Sequence, residues 1–169
     1  FPRLIPPICH AISSLFNFAI QLAVYVLALG LFLYANPEAS AIVGPRVEAL
    51  FLPLLVLQSA LLALGMGFLI SAASVKYRDL GRLAGLFTQF LMYATPVIYP
   101  LSQVPEDYRG YMAYNPLTFI VESYRHILLG NSAGASQEYA IPSIGITLAI
   151  FMLGFIVYNK AQRSYVDFV

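Results

Sequence analysis

Hydrophobic and polar positions fall in long separate blocks along this chain. Apart from His10, no charge lies between Leu4 and Pro37, and none lies between Ala49 and Val75, Leu83 and Pro105, or Tyr139 and Asn159. A helix rises about 1.5 Å per residue and the hydrocarbon core of a bilayer is about 30 Å thick, so roughly 20 apolar residues suffice to cross it. The four runs predict membrane-spanning helices near 8–34, 49–74, 83–99 and 140–159. Lipid offers the backbone no hydrogen bonds, so helices are the expected form. The ten-residue alternation of a membrane β-barrel is absent.

Between the third and fourth runs, Tyr99 to Glu138 is too polar for a span and too apolar for an ordinary loop. Two short helices are expected there. The first starts near Val104-Pro105, with Pro105 at the first helical position, Glu106 and Asp107 in the first turn and Gly110 limiting its length. The second has Asn115 as its cap, Pro116 at the first position and Gly130-Asn131 as its stop. Leu117, Ile120, Val121, Tyr124 and Leu128 recur at three- and four-residue steps, and Glu122, Arg125 and His126 lie on a more polar side. This describes an amphipathic helix lying on the outer membrane surface or re-entering it. The predicted fold class is therefore an all-α polytopic membrane protein with four spans and two short outer helices.

Composition agrees: 60% of residues are hydrophobic, 10% are charged and the mean hydropathy is +0.77, far from the quarter charged that is usual in soluble domains. The net charge of +1 and the lack of a basic face leave no nucleic-acid partner. Cys9 is the only cysteine, so no intrachain disulfide is possible, and no Cys/His spacing suggests a metal site. The opening Phe1-Pro2-Arg3 reads as part of a longer protein.

An even number of spans returns a chain to its starting side, which sorts the charges into two sets. Arg3, Lys76, Arg78, Arg82, Lys160 and Arg163 share one side with Asp79 and Asp167. Arg46, Arg109 and Arg125 share the other with Glu38, Glu48, Glu106, Asp107, Glu122 and Glu138. The positive-inside bias places the first set in the cytoplasm, so "KYRDLGR" becomes a short cytoplasmic loop. Its charges can serve as a topology signal alone. Alternatively, with Asp79 capping a helix that begins at Leu80, the loop can form a turn that presses on a soluble partner.

Tyr93, Tyr99, Tyr108, Tyr111, Tyr114, Phe119 and Tyr124 crowd the outer segment. They fit an interfacial aromatic belt, and equally a stacking surface for sugar rings. Asn17, Gln21, Gln58, Ser59, Thr88 and Gln89, the main polar residues of the spans, are read as interhelical hydrogen-bonding groups. The cores of the four spans lack the acidic and basic residues that coupled transporters usually carry. Gly130-Asn131-Ser132-Ala133-Gly134 matches the G-x-S-x-G pattern of some hydrolases, but it follows a predicted helix and lacks a nearby base. No phosphate-binding loop occurs.

"SVKYRDLGRLAGLFTQFLMYATPVIYPLSQVP", "YNPLTFIVESYRHILLG" and the terminal "NKAQRSYVDFV" together resemble the permease subunits of type-2 ABC exporters that move lipid-linked polysaccharide, such as O-antigen, teichoic acid or capsule. The resemblance falls on Arg78-Asp79-Leu80, Pro96-Val97-Ile98-Tyr99-Pro100, Asn115-Pro116, Tyr124-Arg125 and Asp167. Such permeases have six spans, so residues 1–169 would supply the last four as one transmembrane domain. The resemblance implies a non-enzymatic homodimeric permease of the bacterial cytoplasmic membrane. A separate ATPase would bind ATP and magnesium, and this chain would carry no cofactor. It also implies that Lys76, Tyr77, Arg78, Asp79, Leu80 and Arg82 form the coupling loop, and that the short helices near 104–114 and 116–129 gate a glycan channel. Tyr93, Pro96, Tyr99, Tyr111, Tyr114, Asn115, Pro116, Tyr124 and Arg125 would then lie at the channel and its outer gate. An exporter of drugs or small lipids, a membrane assembly protein without transport and a membrane enzyme acting on lipid-linked sugar are the competing readings.

Overall fold

The computed structural model describes residues 5–36, 47–76, 80–99, 101–129 and 139–166. Helix α1 spans Ile5–Ala35, α2 Leu52–Lys76, α3 Leu80–Ala94, α4 Glu106–Ala113, α5 Pro116–Leu129 and α6 Ala140–Val166. Short 3-10 turns at Val47–Phe51 and Leu101–Gln103 lead into α2 and towards α4. No strand occurs among the described residues.

Proline marks the start of most of these helices. Pro6, Pro7, Pro53, Pro116 and Pro142 all sit in first turns, where the missing N–H has no intrahelical partner to lose and the fixed φ already suits a helix. Three helices are long and apolar enough to cross a membrane, within Ala11–Ala35, Ala49–Ser74 and Ala140–Ala161. The predicted third span is shorter than expected. Its helix stops at Ala94 after 15 residues, about 22 Å of rise, because the position before Pro96 disfavours helical backbone and Pro96 itself donates nothing. Residues 95–99 continue as a turn.

The packed centre is the seam between α2 and α6. Leu55, Gln58, Leu62, Gly65, Phe68 and Ala72 meet Ser143, Thr147, Gly154 and Tyr158, all of them buried. The two helices run in the same direction, since Gln58 reaches Ser143, Gly65 lies against Phe151 and Phe68 stacks near Tyr158 with ring centroids 5.1 Å apart. Their Lys76 and Lys160 ends therefore share one side of the bundle, as the charge sorting expects. Apolar surface gains little by leaving lipid, so close van der Waals packing and interhelical hydrogen bonds hold such a seam. Gly65 and Gly154 make the approach possible: a Cβ on Gly65 would lie 2.7 Å from the Phe151 Cα, and one on Gly154 would collide with the Gly65 carbonyl.

The polar span residues divide. Gln58 Nε2 donates to Ser143 Oγ at 2.8 Å and to Thr147 Oγ1 at 3.5 Å, and Thr147 Oγ1 donates to the Ser143 carbonyl at 2.8 Å. Gln58 is thus the interhelical group the sequence suggests. Ser59 donates to the Val56 carbonyl of its own helix and also lies in hydrogen-bonding reach of Tyr124 on α5, whereas Thr88 donates to the Ala84 carbonyl of its own helix. Asn17, Gln21 and Gln89 are exposed and make no interhelical bond among the described residues.

Gly154→Ala is expected to destabilise the α2–α6 seam by about 1–3 kcal/mol, the range for overpacking a close contact. Gly67→Ala, where an added Cβ meets nothing within 4 Å, is expected to be neutral or mildly stabilising. Thermal unfolding of both variants in detergent checks the contrast.

Candidate functional site: a re-entrant hairpin with an aromatic rim

Helices α4 and α5 form a hairpin whose second arm lies inside the bundle. The ring of Tyr124 packs on Phe18 with centroids 5.8 Å apart, and Tyr25 Oη donates to the Leu128 carbonyl at 3.4 Å. Phe18 and Tyr25 occupy the middle of α1, itself a candidate span. Helix α5 is therefore at membrane depth, re-entrant rather than on the surface. At its other end the Pro116 carbonyl accepts from Ser143 Oγ, in the first turn of α6, at 3.5 Å.

Local sequence chemistry builds the hairpin. Asn115 caps α5 as expected: its Oδ1 accepts from the Leu117 N–H at 3.1 Å, while its carbonyl takes the Thr118 and Phe119 amides. The Asn115 Nδ2 donates to Thr95 Oγ1 at 3.3 Å, tying the hairpin's bend to the end of α3. Pro105 stands one position before α4, as its N-cap rather than its first residue. Glu106 and Asp107 occupy the first turn, where acids suit the positive helix end. Gly110 does not end this helix, which continues to Ala113.

The polar side of α5 faces inward. Glu122 is 5% exposed, and a buried carboxylate requires a partner. Arg125 Nη1 supplies it at 2.9 Å and donates also to the Pro96 and Tyr99 carbonyls, each at 3.1 Å. Arg125 Nη2 donates to the Val97 carbonyl, and Glu122 Oε1 accepts from the Leu101 N–H at 3.1 Å. These carbonyls belong to the non-helical turn that follows the end of α3. A planar guanidinium with five N–H groups can serve three of them and a carboxylate together, and its charge suits the negative end of α3.

The remaining sequence-predicted residues separate by exposure. Pro96 and Pro116 are buried, and Tyr99, Asn115, Tyr124 and Arg125 are half-buried. They build the site's frame. Tyr93, Tyr108, Tyr111 and Tyr114 are exposed by 57–82% and form an aromatic rim along the end of α3 and on α4. Tyr99 Oη donates to the Tyr93 carbonyl at 3.1 Å, and Tyr114 meets Tyr139 edge-on at 5.6 Å. Phe119 faces a cavity of about 330 Å³ against α2 and α6.

Of the expected coupling residues, Lys76 ends α2, Leu80 begins α3 and Arg82 lies in its first turn. Tyr77, Arg78 and Asp79 lie outside the described residues, as do the Gly130–Gly134 pattern and Asp167. The side chains of α3 then give a signal the sequence reading missed. Leu80, Ala84, Leu91 and Ala94 are its less exposed residues, and Gly85, Gln89 and Tyr93 form an exposed i, i+4 stripe on the opposite face. The missed partners Thr95, Ser143 and Thr147 are all 1% exposed. Their only sequence trace is an i, i+4 pair of small polar residues in α6.

Three helices long and apolar enough to cross a membrane, a shorter apolar helix and a re-entrant hairpin define a polytopic α-helical membrane protein. The ABC-2 type transporter family matches residues 2–129, and the chain belongs to that family. It is 24% identical over 168 residues to an O-antigen export system permease protein, RfbA, of Klebsiella pneumoniae, covering 99% of this chain and 61% of the relative. It is 30% identical over 129 residues to RfbA of Myxococcus xanthus, covering 75% of this chain and 46% of that protein. It is 25% identical over 167 residues to a polysialic acid transport protein, KpsM, of Escherichia coli, covering 96% and 61%. The chain thus spans about three fifths or less of the length of these relatives.

Asn115→Ala removes a cap and is expected to cost about 1 kcal/mol. Arg125→Ala strands a buried carboxylate and is expected to cost about 3–5 kcal/mol. Thermal melts of the purified protein check this ranking.

Proposed function

We propose that this chain is the membrane-spanning part of a permease subunit in an ATP-driven exporter that carries lipid-linked polysaccharide across the bacterial cytoplasmic membrane. The observation that carries the reading is the family match together with relatives named for O-antigen export and polysialic acid transport. Two structural features support it. The cores of the spanning helices hold no acidic or basic side chain, and the Glu122–Arg125 pair of α5 is engaged with the turn after α3, which fits a permease driven by a separate ATPase that also binds ATP and magnesium. The Gln89–Tyr93 stripe of α3 leaves an amide and an aromatic ring exposed. An unpaired amide facing hydrocarbon costs several kcal/mol, whereas one facing a hydrated path costs little.

In this reading the Lys76 and Lys160 ends face the cytoplasm, and Lys76, Tyr77, Arg78, Asp79, Leu80 and Arg82 receive the ATPase. Two copies of the permease enclose the path. The exposed rings of Tyr93, Tyr111 and Tyr114 at its outer mouth stack on passing sugars. Pro96, Tyr99, Asn115, Pro116, Tyr124 and Arg125 hold the gate that carries them. Weak, repeated stacking suits a polymer that must advance, because each ring releases as the next engages.

The test is reconstitution of the full-length permease with the ATPase that copurifies with it, followed by ATP-dependent transfer of lipid-linked glycan. Replacing Tyr93 and Tyr111 by Ala should slow transfer about two- to tenfold, the equivalent of roughly 0.5–1.5 kcal/mol of lost ring contact, with assembly intact. Arg78→Ala and Asp79→Ala should lower glycan transferred per ATP hydrolysed. Export of small amphiphiles in place of glycan, or the absence of any ATPase partner, would overturn the reading.

A further inference from the structure

Helix α1 is the least covered of the long helices. Its Ala11–Ala35 span has none of its most apolar stretch buried, against 22% for the α2 span and 17% for the α6 span. Leu15, Phe18, Leu22 and Tyr25 are half-buried along one side of α1. Beside them runs a polar stripe of Ser14, Asn17 and Gln21 at i, i+3 and i+7, all exposed. Asn17 and Gln21 lie inside the span, where an amide left in hydrocarbon is costly.

The stripe borders a groove. A cavity of about 640 Å³ lies open between α1, which contributes Ser14 and Phe18 to its wall, and α2. Its α2 floor includes Ser59, Ala63, Gly67 and Ser71, small residues one turn apart over about 18 Å of helix. The two faces of α2 differ: a Cβ on Gly65 would lie 2.7 Å from the Phe151 Cα, whereas one on Gly67 would meet nothing within 4 Å. The first face is taken by α6, and the second is open.

We infer that this groove seats a further membrane-spanning helix of the same polypeptide, from the part of the full-length protein outside residues 1–169. Length, packing and symmetry select that occupant. The 168 matched residues are 61% of the Klebsiella pneumoniae relative, which leaves on the order of 100 residues, and one span takes roughly 20. Small residues let a second helix backbone approach closely, and Asn and Gln side chains bond across such contacts. An acyl chain would fill the floor and leave both amides unmet. A second copy related by a two-fold axis would present the same patch, setting groove against groove and leaving both unfilled. The occupant therefore carries small residues along one face and a Ser, Thr, Asn or Gln level with Asn17 and Gln21. Neither the glycan nor the ATPase of the proposed function enters this inference.

The test uses the full-length permease in native membranes, with the photo-crosslinking residue p-benzoylphenylalanine in place of Asn17 or of Gln21 on the groove's rim, so that the floor stays open. After irradiation, peptide mapping by mass spectrometry should find both positions joined to one apolar segment outside residues 1–169, in a product that migrates as a single polypeptide. Gly67→Leu fills the groove and should lower the yield of that product about fivefold or more, while Gly67→Ala leaves room and keeps it. Should Gly67→Leu fail to accumulate, Ala63→Val is a smaller overfill with the same readout. Products that join only a second copy, another protein, lipid or residues 1–169, or a yield unchanged in the filled variants, would overturn the proposal. A permease that gives the expected product but exports no glycan would fail the proposed function and leave the docked helix standing.

Discussion

The arrangement depends on how three backbone carbonyls are satisfied. Helix α3 ends at Ala94 ahead of Pro96, and the carbonyls of Pro96, Val97 and Tyr99 in the turn beyond it have no helical donors. Arg125 donates to all three and to Glu122. A broken span is tolerated in a bilayer only where protein or a polar cavity meets its freed groups. The clamp is what makes the break possible, and the break is what lets the chain turn back as a hairpin.

That dependence accounts for where charge occurs. The described spans carry none in their cores, yet α5 buries Glu122 beside Arg125 within the bundle. A buried ion pair is weak evidence of stability, because its attraction roughly offsets its desolvation. Here each member has further work to do: Glu122 accepts the Leu101 amide and Arg125 serves the turn. An apolar replacement of equal volume would leave four backbone groups without partners. Geometry, more than net energy, explains the pair.

Much of this was legible in the sequence where the cause is local. Asn115-Pro116 declares a helix start within two residues, and the structure places cap and first residue as read. The apolar runs located α1, α2 and α6 to within a few residues at their starts. The end of α3 was missed because hydropathy continues to Val104 and outvoted Pro96. Glu122 and Arg125 read as the polar side of an amphipathic helix because their partners lie 21–29 residues away and are mostly backbone, which has no sequence signature. The Gly65–Gly154 contact was invisible for a similar reason, since neither glycine announces which helix it will meet.

The uneven packing of the bundle follows from the same economy of polar groups. Helices α2 and α6 bury a complete seam and satisfy Gln58 between them. By contrast, α1 presents Asn17 and Gln21, and α3 presents Gln89, on faces this chain leaves exposed. An amide in a span tolerates water or a protein partner far better than hydrocarbon. The polar stripe of α3 is exposed, so the side of the bundle bearing Gly85, Gln89 and Tyr93 is the side that calls for something other than lipid. The rim tyrosine at the top of that stripe, Tyr93, has its backbone tied through Tyr99 to the Arg125 clamp. The interaction that permits the broken helix therefore also fixes where its polar face ends.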